Sequence, residues 1–165
     1  MFDLKPLSKE AIPTAIEKAM RYRLLNEPGE AESICLDVLC ADPKNQEALV
    51  ILLLALTDRF GKGYAISDTQ VHEVLAQLQS EYDRTYYAGI IYERKAKAKL
   101  DQGGLGSGFA AYELLHEAMS CYEKAEVMRP AGNDDALLRW NACARIIARN
   151  KLVARPKESF EPSLE

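Results

Sequence analysis

The sequence predicts an all-α protein of about seven helices, packed as consecutive antiparallel pairs. Apolar residues recur at helical spacing along most of the chain, and turn residues such as Pro28-Gly29 and Asp42-Pro43 separate the periodic segments. No segment shows the alternation of apolar and polar residues that is typical of a strand. The predicted organisation is an N-terminal segment, 1–11, a helical domain, 12–152, and a disordered tail, 153–165.

The first half of the chain predicts four helices. Pro13 suits a first helical turn, where its missing N–H costs nothing. The second helix ends at Asp42-Pro43, because the residue before a proline avoids the helical conformation. The third is apolar nearly all round, from Leu49 to Leu54, which is typical of a helix buried between neighbours. The predicted ranges are 12–25, 29–41, 47–58 and a fourth helix, capped by Ser67 or Asp68, that ends near residue 79.

Three further helices are predicted at 82–101, 109–128 and 134–152. The segment QGGLGSG, residues 102–108, separates the first two of these. It does not match a phosphate-binding loop, because it follows a helix and Phe109-Ala110 stand where Lys and Ser or Thr are required. We interpret it as a flexible connection. The last residues hold prolines and many charges with little to bury, which predicts a disordered tail.

Composition and charge restrict the function. The 165 residues carry a net charge of -4, which argues against a nucleic-acid partner, since phosphate binding needs a clustered basic surface. The longest apolar run, Leu49 to Leu56, is far shorter than the roughly 20 residues that span a bilayer. The N-terminus has no apolar core of a signal peptide. We therefore expect a cytoplasmic protein that has no membrane partner.

The chemistry-bearing side chains form no recognisable constellation. Cys35 and Cys40 are poorly spaced for shared ligation, and Cys121 and Cys143 stand alone, so we interpret all four as small buried apolar residues. No Ser, His and Asp occur in the context of a catalytic motif. We expect no enzymatic activity, no cofactor and no metal site.

One helix-turn-helix unit recurs in the chain. In its first copy Ala19 is followed by Tyr22, and in the later copy Gly89 is followed by Tyr92 at the same spacing. The second helices also match: Ala118, Tyr122, Ala125 and Pro130 repeat the spacing of Ala31, Cys35, Val38 and Pro43. This pattern, over residues 12–150, resembles the tetratricopeptide repeat (TPR). The resemblance implies an α-α superhelix of stacked helix pairs that binds another molecule. Other two-helix repeats and a plain helical bundle are the alternatives.

The resemblance also implies where a partner would bind. In the TPR family the first helix of each pair lines a concave groove, and the matching positions here are Ile16, Met20, Arg23, Val50, Leu54, Tyr86, Ile90 and Arg94. Some family members bind a chaperone's C-terminal carboxylate there, but the matching inner positions of this chain are apolar. The resemblance therefore implies a protein or peptide partner in a largely apolar groove, unless the protein's own helices cover it.

Three functional hypotheses follow. The first is an adaptor or scaffold, and the second is a small acidic chaperone of TPR type for a secreted or membrane-active client. The third is a self-associating module, such as a homodimer, because only residues 1–11 could cover the N-terminal end of the stack. The basic run Glu93–Lys99 would either attract an acidic partner or form the solvated end of a long helix. Ala19 and Gly89 are expected at tight helix contacts.

Overall fold

The structure, a computed structural model, describes residues 1–158, and these residues form helices and connections but no strand. A 3₁₀ turn, Lys9–Ala11, precedes seven α-helices. Their bounds are α1 Ile12–Leu24, α2 Pro28–Ala41, α3 Gln46–Thr57, α4 Asp68–Ala76, α5 Glu81–Gln102, α6 Ser107–Met128 and α7 Asp135–Asn150. The predicted all-α class is confirmed. The predicted tail, 153–165, is described only to residue 158, and 159–165 lie outside the described residues.

Each helix packs against the next one along the chain. Two further contacts, α1 with α3 and α3 with α5, place these three odd-numbered helices beside one another. The most extensive interface joins α5 and α6, which have 22 residues each, against 13 and 14 in α1 and α2. The second recognisable repeat is thus a lengthened hairpin, as its spacing predicts, and residues 103–106 connect its two helices.

Short polar side chains fix several helix starts. The Asn45 side chain accepts a hydrogen bond from the Ala48 amide at 2.9 Å, which caps α3. Ser80 accepts one from the Asp83 amide at 3.2 Å, which caps α5. The α5–α6 turn has a positive φ at Gly103 and at Gly106 (65° and 76°), a conformation that glycine adopts without strain. These local signals position the odd-numbered helices that carry the candidate site.

Helix α4 ends at Ala76, three residues before the predicted end. The Gln77 and Leu78 amides still donate to Val74 and Leu75, but side chains from other elements hold the backbone that follows. The Gln79 amide donates to Gln46 Oε1 at 2.9 Å, and the Arg84 guanidinium donates to the carbonyl groups of Leu78 and Gln79. The helical pattern therefore predicts an α4 that is too long, since hydrogen bonds to other elements hold the backbone where its last turn is expected.

The core consists of two apolar clusters in contact. The first lies among α1 to α4, with Ile91 from α5, and centres on α3, where Leu49, Leu53 and Leu56 are almost fully buried. The second lies among α5, α6 and α7, around the fully buried Tyr122. Leu54 and Tyr87 pack against both clusters, so the two halves of the chain share one continuous core. Every helix of the described part is too short or too polar to traverse a lipid bilayer.

Equivalent positions of the two repeat copies are equivalently buried. Ala19 is fully buried, and Gly89 packs directly against the ring of Tyr122. The matched positions of the second helices also have no more than 1% exposure: Ala31, Cys35 and Val38 in α2, and Ala118, Tyr122 and Ala125 in α6. The matched small residues are therefore buried alike in α1–α2 and α5–α6, whereas Tyr22 is exposed and its match Tyr92 is half-buried.

Candidate functional site

A cavity of about 350 Å³ opens on the face shared by the odd-numbered helices. We call it the central cavity. Five residues that the sequence assigns to the groove line it together: Arg23, Leu54, Tyr86, Ile90 and Arg94. The other lining residues are Tyr87, Glu93, Lys97, Asp135 and Arg139. Side chains from α1, α3, α5 and α7 therefore meet around one space, although they are distant in the sequence.

Three residues assigned to the groove lie elsewhere. Ile16 is only 6% exposed, belongs to the first core cluster and does not line the cavity. Val50 is half-buried against the same cluster. Met20 is 45% exposed but does not line the cavity. Ile16 and Val50 pack against the core, whereas Arg23 and Leu54, nearer the C-terminal ends of α1 and α3, line the cavity.

Most residues that line the central cavity are charged. This corrects the expectation of a largely apolar groove. The Asp58 carboxylate follows α3 and lies behind the cavity wall, where it binds two arginines. Arg23 Nε donates to Asp58 Oδ2 at 2.6 Å, and an Arg94 nitrogen donates to Asp58 Oδ1 at 2.5 Å. All three side chains are about one-fifth to one-quarter exposed. These two ion pairs, which we call the Asp58 triad, connect α1, the C-terminal end of α3 and α5.

Arg94 also caps the C-terminal end of α3. The same guanidinium nitrogen donates to the Leu54 carbonyl and to Thr57 Oγ1, both at 2.9 Å. Burial lowers the pKa of Arg94, while the Asp58 carboxylate acts in the opposite direction and favours the charged form. A cation at a helix C-terminus is also favoured by the helix dipole. Arg94 is therefore a fixed positive charge at the cavity.

The structure adds Glu93 as a functional candidate, because this side chain is buried, which the sequence analysis does not predict. Its side chain is 2% exposed and lies between α5, α6 and α7. It accepts hydrogen bonds from Lys97 Nζ at 2.7 Å, from Tyr122 Oη at 3.1 Å and from the Arg139 guanidinium through two nitrogens, and Cys143 Sγ lies 3.5 Å away. The sequence contains one indication of this burial: Glu93 lies one helical turn after Gly89, on the face of α5 that approaches α6.

The environment of Glu93 keeps it ionised. Burial alone would raise the pKa of the Glu93 carboxyl, but hydrogen bonds from Arg139 and Lys97 outweigh burial and hold the pKa below its usual value. Burial and the negative charge of Glu93 raise the pKa of Tyr122, and they raise that of Cys143 to about 12. Tyr122 and Cys143 therefore stay protonated near neutral pH, so this cluster offers no thiolate or phenolate nucleophile.

Aromatic rings form the other wall of the central cavity. The Tyr86 ring packs edge-on against Tyr87 at 5.0 Å between centroids and is stacked with Tyr82 at 5.9 Å. Burial, with the nearby Asp135 carboxylate, raises the pKa of Tyr86 above its usual value. The neutral hydroxyl groups and ring edges provide an amphipathic surface, the type that recurs where proteins bind peptides.

The basic run Glu93–Lys99 is not the solvated end of a helix, which corrects one of its two interpretations. Glu93 and Ala96 are buried. Arg94 contacts Asp58, and Lys95 forms an ion pair with Asp68 at 2.9 Å. Lys99 is exposed, and the Lys97 side chain is 44% exposed although it pairs with Glu93. The run joins α5 to α3, α4 and α7, because its side chains point in turn toward each neighbour.

The cysteines lie in different environments. Cys35 and Cys143 are buried, as expected of small apolar residues, but Cys40 is exposed near the end of α2 and Cys121 is half-buried. Burial raises the pKa of Cys35 to about 12. Within residues 1–158 no three His, Cys, Asp or Glu side chains are grouped closely enough to bind a metal ion.

Comparisons with protein-family models, with curated protein sequences and with solved structures gave no match. The candidate site therefore rests on its own geometry. The arrangement can hold a ligand through fixed guanidinium groups on one side and tyrosine rings on the other.

Proposed function

We propose that the protein is a cytoplasmic, non-enzymatic interaction module of TPR type, an adaptor or scaffold that binds a peptide segment of another protein in the central cavity. The observation that supports this function is the convergence of Arg23, Leu54, Tyr86, Ile90 and Arg94 on one cavity. The repeat register selects these residues from three different helices, and a shared cavity is what a stacked repeat provides.

The contacts between odd-numbered helices support a superhelical arrangement. In a stack of helix pairs, the first helix of each pair lies beside the first helix of the next, as α1, α3 and α5 do. The second helices, α2 and α6, cover the other side with fully buried small residues. A plain bundle would need no such pairing of alternate helices.

The cavity is held in place before any ligand binds. Arg23 and Arg94 are fixed by Asp58, and Arg139 is fixed by Glu93. Side chains that are already ordered lose little conformational entropy on binding, which favours affinity. The charges also leave a positive excess, since four cations line the cavity against the carboxylates of Glu93 and Asp135, with Asp58 behind them.

Site-specific photo-crosslinking in the native host tests this proposal. A benzophenone amino acid replaces Tyr86 in the cavity and, as the matched control, Tyr112 on α6, which lines no part of the cavity and packs beside His116. We expect the Tyr86 position to give a discrete crosslinked protein that the Tyr112 position does not give. Identical crosslinking profiles at both positions would remove the central cavity as the binding site.

A further inference from the structure

A second cavity, of about 500 Å³, lies between the C-terminal halves of α5 and α7. Lys97, Leu100 and Asp101 line it from α5, and Arg145, Ile146 and Arg149 line it from α7. Lys97 also lines the central cavity. The two spaces therefore meet at this side chain.

The two cavities lie in series along both helices, and together we call them the α5–α7 groove. On α5 the lining residues run from Tyr86 through Lys97 to Asp101, and on α7 they run in the same direction from Asp135 to Arg149. Tyr86 and Asp101 lie about four helical turns apart, roughly 22 Å along the axis. An extended peptide of about seven residues spans that length.

The charges along this α5–α7 groove are mostly positive. Arg94, Lys97, Arg139, Arg145 and Arg149 line it. Of the carboxylates, Glu93 is buried and already bound by Lys97 and Arg139, which leaves Asp101 and Asp135 at the surface.

Arg145 and Arg149 contribute the positive charge of the groove that no ion pair neutralises. Both are exposed, and within residues 1–158 neither forms an ion pair. They are spaced i, i+4 on α7, so their like charges face each other on one surface. An external carboxylate placed between them would relieve this repulsion, whereas a basic ligand would increase it.

We propose that the α5–α7 groove binds an extended acidic peptide segment of the partner protein. Carboxylate side chains of the peptide pair with Arg145 and Arg149, and an apolar side chain packs between Leu100 and Ile146. The groove focuses positive potential although the whole chain is acidic, because local charge governs the encounter at short range. This inference rests on the proposed function and gives the chemical class of its ligand.

The test measures fluorescence anisotropy of labelled peptides with the full chain. The probes are a peptide of alternating Glu and Leu and its matched Gln-Leu and Lys-Leu versions. We expect only the Glu-Leu probe to bind, with affinity that falls as salt rises. The double variant Arg145→Gln/Arg149→Gln should weaken binding roughly tenfold.

The matched control is Lys44→Gln/Lys124→Gln, which removes the same charge from two exposed sites outside both cavities. It should leave binding within about twofold of the original chain, since distant exposed charges are screened. Circular dichroism of every variant establishes that the exposed substitutions preserve the fold.

Three results would overturn the inference: equal binding of the Glu-Leu and Gln-Leu probes, equal losses in both double variants, or tighter binding of a uridine oligonucleotide than of the acidic probe. Failure here is distinguishable from failure of the proposed function. A crosslinked partner at Tyr86, retained by the Arg145→Gln/Arg149→Gln variant, would preserve the interaction module and reject its acidic ligand.

Discussion

Gly89 of α5 lies directly against the ring of Tyr122 in α6. A Cβ atom at position 89 would be 2.5 Å from Tyr122 Cε1 and 2.9 Å from Cδ1, closer than side chains approach each other. The ring cannot retreat easily, because Tyr122 is fully buried and its hydroxyl donates to Glu93 at 3.1 Å. The small residue therefore sets the distance between the two longest helices and the position of the Glu93 cluster.

We predict that Gly89→Ala destabilises the protein. Alanine is the better helix former by about 0.5–1 kcal/mol, but overpacking a closed interface costs about 1–3 kcal/mol, so the net free energy of unfolding should fall. Urea denaturation measures the change.

Gly108 in α6 gives the matched control. A Cβ atom there would lie 3.6 Å from Leu152 Cδ2, an ordinary van der Waals contact. Gly108→Ala should therefore raise the free energy of unfolding by about 0.4–1 kcal/mol. If both substitutions stabilise the chain, the contact between Gly89 and Tyr122 is looser than the structure indicates.

Ala19→Leu should destabilise the first repeat copy in the same way. Ala19 is fully buried in α1, so three added heavy atoms would displace its neighbours at a cost of about 1–3 kcal/mol. Ala148→Leu, on the exposed side of α7, should change stability by less than about 0.5 kcal/mol. Thermal unfolding compares the two variants, and equal melting temperatures would argue against the repeat register.

Local signals predict most of this fold. Helical periodicity, Pro28-Gly29 and the Ser67 cap are properties of neighbouring residues, and they locate helices whose ends depend on those residues. The end of α4 was missed because Gln46 and Arg84, from other elements, decide it. Repeat spacing could predict that Ala19 and Gly89 are packed, because similar helix pairs pack similarly.

Less of the candidate site than of the fold can be predicted from the sequence. Counting from the repeat register places Arg23 and Arg94 on one face, but the register does not indicate that Asp58 binds both of them. Glu93 and Arg139 are 46 residues apart, and their contact depends on how α7 packs beside α5. The polar character of the cavity is therefore a tertiary property, which apolar periodicity alone cannot reveal.

Asp58→Asn should cost about 1–3 kcal/mol of stability, because it leaves Arg23 and Arg94 close together without the carboxylate that both bind. The matched control, Asp68→Asn, removes a carboxylate that is 68% exposed and pairs with Lys95. Its effect should stay below about 1 kcal/mol, as is typical of exposed ion pairs. Similar losses in urea denaturation for both variants would show that the Asp58 triad has no special stabilising role.

Glu93→Gln should have the largest electrostatic effect in the chain. Lys97 and Arg139 would lose their shared carboxylate, but both are partly exposed and can regain water. We therefore expect a loss of about 2–3 kcal/mol at pH 7, at the lower end for a broken buried ion pair. Glu126→Gln, which removes an exposed partner of Arg129, should cost less than about 1 kcal/mol.

The loss of unfolding free energy caused by Glu93→Gln should become smaller at acidic pH. The pKa of Glu93 in the folded protein lies below its ordinary value of 4.5, so its stabilisation is fully present above that pH. As the pH falls through the folded-state pKa, the carboxyl group is protonated and the stabilisation is lost. The difference in unfolding free energy between the original chain and Glu93→Gln should therefore stay nearly constant from pH 7 to about 4.5 and shrink as the pH falls further. Urea denaturation of both proteins at each pH measures it, and a difference that grows, or does not shrink, on acidification below that pH would contradict the ionised Glu93 cluster.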